Sequence, residues 1–153
     1  PSQNLVSLEE SPYFDLSAIS IANESNIQLS SQTGMFAYPA SSPLRPSGKE
    51  RMYQIAYLQA IFPSQSESSR YRVIVMDRDG SNRRAIFPPE NAQGIRPQTP
   101  VWAPEAITGQ SGDFLALIYQ GNLWLVDSGS GQAHQITGDG LISRIDWKSL
   151  SSD

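Results

Sequence analysis

Oxygen donors alternate along Asp77-x-Asp79-Gly80-x-Asn82, a spacing that raises the question of calcium. A helix-flanked calcium loop needs a glycine at its sixth position, where the backbone turns sharply, and a bidentate Glu at its twelfth. Those positions hold Asn82 and Pro88, so the run reads as a hairpin turn. The corresponding stretch Asp127-Ser-Gly-Ser-Gly131 offers only one carboxylate.

His134 is the only histidine, and imidazole is the commonest general base and metal ligand near neutral pH. It falls on a predicted outer strand, on the face of Ile136, which fits a structural or surface role. No Gly-x-Ser-x-Gly elbow is present to activate a serine beside it. Asp139 with Asp146, or Glu9 with Glu10, would suit a paired-carboxylate hydrolase only if folding brought them together. Cysteine is absent, which removes thiolate metal sites, disulfides and cysteine nucleophiles together. Phosphate-loop and dinucleotide glycine patterns are absent too. No catalytic set, cofactor site or metal site is expected.

The dense cation cluster is Arg70, Arg72, Arg78, Arg83 and Arg84, all on one predicted hairpin. Guanidinium groups chelate carboxylates in a fork and stack on aromatic rings, so these five are the candidate surface for an acidic protein partner. The competing reading is a charged outer edge that deters sheet-to-sheet aggregation. Tyr57, Tyr71, Trp102, Tyr119, Trp124 and Trp147 form either a ligand platform or, better suited to strand positions, packing between sheets. Asn23-Glu-Ser25 is a formal glycosylation acceptor.

The elements that hold these groups follow from repetition. Tyr71–Ile86 and Gly121–Thr137 each read as an apolar strand, an Asp, a glycine turn and a second strand. Repeated units of this kind bury an apolar face against the next unit, so the chain is expected to be an all-β array. Residues 1–12 read as an arm or linker. Residues 13–34 form a hairpin or partial blade, with a polar turn at Asn23–Asn26.

The first repeat spans 35–100, with an inner strand at Met35–Pro39, a loop at Ala40–Lys49 and a strand at Tyr53–Ile61. That strand is apolar on both faces, as a strand between two sheets must be. Tyr71–Asp77 and Arg83–Phe87 complete it. The second repeat, 101–140, has strands at Val101–Pro104, Phe114–Tyr119, Leu123–Asp127 and Ala133–Thr137, with a two-residue turn at Gly121–Asn122. Residues 141–153 hold the first strand of a third repeat, Ile142–Trp147, and a tail.

Val-Met-Asp-Arg-Asp-Gly-Ser-Asn-Arg-Arg at 75–84, Val-Trp-Ala-Pro at 101–104, Leu-Trp-Leu-Val-Asp at 123–127 and Gln-Ile-Thr at 135–137 resemble the TolB-like, WD-related β-propeller repeat. The likeness covers about 53–148. It departs at Pro104–Asp113, a long loop where the family has a tight Pro-Asp-Gly turn. The resemblance implies four-stranded antiparallel meanders stacked as blades in an incomplete ring, and an extracytoplasmic binding scaffold, periplasmic or on the cell surface.

The 153 residues suffice for one core. A formal charge of -4 gives no electrostatic footprint for nucleic acid, and no apolar run reaches the roughly 18 to 20 residues that span a bilayer. Closed propellers need at least about four blades. The expectation is thus a non-catalytic protein–protein interaction module, part of a larger protein or assembly, whose ends meet further blades of the same or another chain, including a homo-oligomer. The alternatives are an accessory propeller segment of a hydrolase or peptidase, and a small-molecule or glycan sensor.

Overall fold

The computed structural model describes residues 14–47, 50–104 and 113–148, and the protein in these regions is all-β with antiparallel sheets. Among the described residues no helix is long and apolar enough to cross a membrane.

The hairpin β1 (Phe14–Ile19) and β2 (Asn26–Gly34) comes first. Its turn is closed by the Ser20 amide on the Ser25 carbonyl at 2.9 Å, and Asn23 Oδ1 accepts from the Ser25 amide and hydroxyl. The next sheet orders β3 (Ala40–Ser41), β6 (Gln54–Ala60), β7 (Tyr71–Asp77) and β8 (Arg84–Phe87). A small hairpin, β4 (Arg45–Ser47) and β5 (Glu50–Met52), projects between its first two strands. The last sheet repeats that order with β9 (Val101–Trp102), β10 (Phe114–Tyr119), β11 (Asn122–Asp127) and β12 (Ala133–Gln135).

Alternation of side chains along a strand explains how these units meet. Ala56, Leu58 and Ala60 of β6 and Tyr71, Val73 and Val75 of β7 share one face and join Trp102, Leu115, Leu117 and Val126 of the last sheet in one buried cluster. The intervening residues Tyr57, Ile74 and Met76 face the other way and pack on Leu29, Leu16 and Ala18 of the first hairpin. The β6–β7 sheet is therefore covered on both sides, as the two-faced apolar pattern of Tyr53–Ile61 requires. Full burial of a Leu or Val side chain contributes about 1.5–3 kcal/mol, so this middle layer dominates the core.

The two turns after β7 and β11 are built alike, the second one residue longer. The Asp77 carbonyl accepts from the Gly80 amide at 2.9 Å, and the Asp127 carbonyl from Gly131 at 2.8 Å. Gly80 and Gly131 take φ of 84° and 73°, which a side chain would oppose.

Several expected elements sit elsewhere. The inner strand forms at Ala40–Ser41 rather than Met35–Pro39, because Tyr38 turns to φ 41° and Pro39 has no amide to give to a ladder. Within the expected loop Ala40–Lys49, β4 pairs with β5. The tight turn is Gln120–Gly121, with φ of 52° and 74°, one residue earlier than expected and in the sense that suits hairpin twist. Ile142–Trp147 forms no strand; the Ile142 amide reaches the Gly121 carbonyl at 2.8 Å, but among the described residues this run joins no ladder. The expected arm at 1–12 lies outside the described residues, as does most of the Pro104–Asp113 loop.

Candidate functional site

The five arginines of one predicted hairpin do not share one open surface. Arg72 donates from Nη1 to the carbonyls of Pro88 at 2.8 Å and Pro89 at 2.7 Å, and from Nη2 to that of Glu90 at 2.7 Å, so it fastens the start of the β8–β9 connection. Arg78 reaches Glu50 at 3.3 Å, tying the small β4–β5 hairpin to the β7–β8 turn. Arg83 donates to the Leu29 carbonyl and Arg84 to the Ser128 carbonyl. These two link the middle sheet to the first hairpin and to the last sheet respectively. Four of the five thus hold layers and connections together.

Arg70 is different. It lies just before β7 and lines a groove of about 720 Å³ with Arg96, Gln98, Ile118, Tyr119 and Leu141. Tyr71 and Ile95 exchange backbone hydrogen bonds at 3.0 and 2.9 Å, and this isolated antiparallel bridge brings the β8–β9 connection alongside the start of β7. Arg96 is missing from the sequence-derived cluster because linear density selects 70–84; only the bridge brings 96 near 70.

The groove walls are fixed by hydrogen bonds. Gln98 donates to the Ile118 carbonyl and accepts from its amide, both at 2.7 Å, and the Tyr119 hydroxyl donates to the Gln93 carbonyl at 2.9 Å. Gly94 and Gly121 allow close approach: a Cβ on Gly94 would stand 2.7 Å from Arg70 Cβ, and one on Gly121 only 2.2 Å from the Gly140 carbonyl oxygen.

The carboxylates considered for chemistry are engaged in their own turns. Asp77 accepts from Asn82 Nδ2 at 2.7 Å, and Asp127 Oδ1 from the amides of Gly129 and Ser130 at 2.7 and 2.8 Å. Asp79 accepts from the Ser81 hydroxyl at 2.6 Å and amide at 3.0 Å, and these bonds, the hydroxyl first, hold its carboxyl below the ordinary value. Asp139 and Asp146 accept from the Leu141 and Trp147 amides at 3.2 and 2.9 Å; Glu9 and Glu10 lie outside the described residues. His134 is exposed on β12, opposite Leu125.

The aromatic residues divide between the layers. Tyr57 is buried toward the first hairpin, while Tyr71 and Trp102 are buried between the two larger sheets. Tyr119 and Trp124 meet Phe87 of the middle sheet at ring-centre distances of 5.2 and 5.6 Å. Only Trp147 lies beyond, at the far face of the last sheet. There Ala116, Leu123, Leu125, Ile142 and Trp147 line a second groove of about 580 Å³, and Ile136 at its edge is 53% exposed. Comparison with protein-family models, curated proteins and solved structures returns no match.

Proposed function

We propose that this chain is a non-catalytic, blade-type β-repeat module of the TolB-like propeller kind, which docks further β-sheet protein against the outer face of its last sheet. The observation that carries this reading is the groove beside Leu123 and Leu125, apolar along the sheet and edged by Arg144, Asp146 and Lys148 of the run after it. Each interface within the molecule covers an apolar sheet face with another sheet or hairpin, yet among the described residues this face carries only the strandless run 142–148. Ile136 and Leu141, the latter 81% exposed, extend the apolar surface. At the other end of the stack Phe14 and Ile19 are 56% and 69% exposed. Such ends are a liability that repeat proteins cap or pair.

The occupant that fits is a sheet of the same repeat type from another copy of this chain. A head-to-tail contact of this sort closes into a ring or propagates. Engagement of the turn carboxylates in structural bonds supports a scaffold over an enzyme, and an extracytoplasmic setting accompanies the TolB-like reading. The test is light scattering of the full chain across concentration. The weight-average mass rises above that of one chain, and Ile136→Glu, at a position too exposed to unsettle the fold, lowers it. A single-chain mass at every concentration for both proteins overturns the reading.

A further inference from the structure

We infer that Arg70 and Arg96 form a carboxylate clamp, and that their groove takes an acidic peptide segment with an apolar residue next to its Asp or Glu. The Tyr71–Ile95 bridge supplies the first argument. Both of those side chains belong to the buried cluster. Alternation across an antiparallel pair then puts positions 70 and 96 on its opposite face. Like charges that share a face oppose one another, and neither guanidinium has a hydrogen bond or ion pair among the described residues. The fold thus sets two cations on one groove and leaves their forks free, in contrast to Arg72, Arg78, Arg83 and Arg84.

The second argument is the rest of the lining. Pro97, Ile118, Leu141 and Ile142 supply apolar wall beside the cations. A chain with a formal charge of -4 repels a polyanion at long range, whereas one carboxylate flanked by an aliphatic or aromatic side chain matches both parts of the groove. Gln98 and Tyr119 have already given their polar groups to the walls, so the site is held in shape before a ligand arrives, which reduces the ordering cost of binding. The inference rests on the chain being an interaction module; its groove adjoins the sheet end at Leu141 and Ile142, but its cations, Arg70 and Arg96, belong to this groove and not to that one.

The probes are short synthetic peptides carrying Glu beside Leu or Phe, each with its Gln counterpart, titrated into the full chain by fluorescence anisotropy. The Glu peptides bind and the Gln peptides bind at least tenfold more weakly. Arg96→Gln and Arg70→Gln each reduce affinity at least tenfold, Arg96→Lys reduces it less, and added salt weakens binding. Arg96 is exposed, so its variants keep the fold, and circular dichroism checks this. Equal binding of Glu and Gln peptides, no binding at millimolar peptide, or unchanged affinity in folded arginine variants overturns the clamp. So does an oligonucleotide held by the same arginines when the peptides are not. Light scattering is indifferent to these outcomes, so the clamp and the sheet-end reading fail separately.

Discussion

The indole N–H of Trp102 donates to the carbonyl oxygen of Ala40 at 2.9 Å, joining the short first strands of the two four-stranded sheets. With two residues each, β3 and β9 have little ladder of their own, so a bond between them fixes the layers where pairing is weakest. Trp102→Phe keeps most of the ring and removes the donor. Urea unfolding should show a loss of more than about 1 kcal/mol, the net worth of a typical hydrogen bond plus the space the smaller ring leaves in the core, with the slope unchanged.

Gly34 ends β2 at φ 106°. A Cβ there would stand 2.8 Å from Ala60 Cβ and 3.2 Å from the Tyr71 hydroxyl. Gly34→Ala therefore combines backbone strain with a clash in the core, and should destabilise by more than about 1 kcal/mol. Thermal unfolding reads it; a melting temperature equal to the parent's contradicts it.

Burial pushes the Tyr71 phenol above its ordinary value of 10.0, against the lowering effect of its hydrogen-bonding neighbours. The hydroxyl donates to the Ser66 carbonyl at 2.7 Å, a bond that only the protonated form makes. A folded-state value above the unfolded one favours folding fully below the unfolded pKa, and the gain is lost as pH rises through the folded value. Stability measured upward from about pH 10 should therefore fall. Tyr71→Phe should flatten that limb.

Arg45 on β4 donates to Asp113 Oδ1 at 2.6 and 2.9 Å across 68 positions of chain, from side chains 34% and 16% exposed. Solvent screens such a pair. Asp113→Asn should cost no more than about 1 kcal/mol, with the difference shrinking in high salt, as unfolding in low and high sodium chloride will show.

Much of the fold was legible in the sequence because the apolar pattern is a local record of two-sided burial. Tyr53–Ile61 and Tyr71–Asp77 carry that record, and they form the covered middle layer. The Asp-and-glycine turns at 77–80 and 127–131 were legible for the same reason, since positive φ calls for glycine. Ile142–Trp147 was misread because a strand also needs a partner, and its sequence records only the apolar residues that lie against Leu123 and Leu125. The groove was half visible: Arg70 stood out by density, whereas Arg96, within a proline-bounded connection, reaches it only through a long-range bridge.

Sheet faces stacked on sheet faces underlie every functional reading of this chain, and Phe87 and Trp124 test that stacking most directly because they come from different sheets. Their rings are 5.6 Å apart, with Tyr119 5.2 Å from Phe87 and 5.9 Å from Trp124. A nuclear Overhauser spectrum of the full chain should show cross-peaks joining all three rings. An assigned spectrum in which Phe87 has no cross-peak to either Tyr119 or Trp124 would contradict the account.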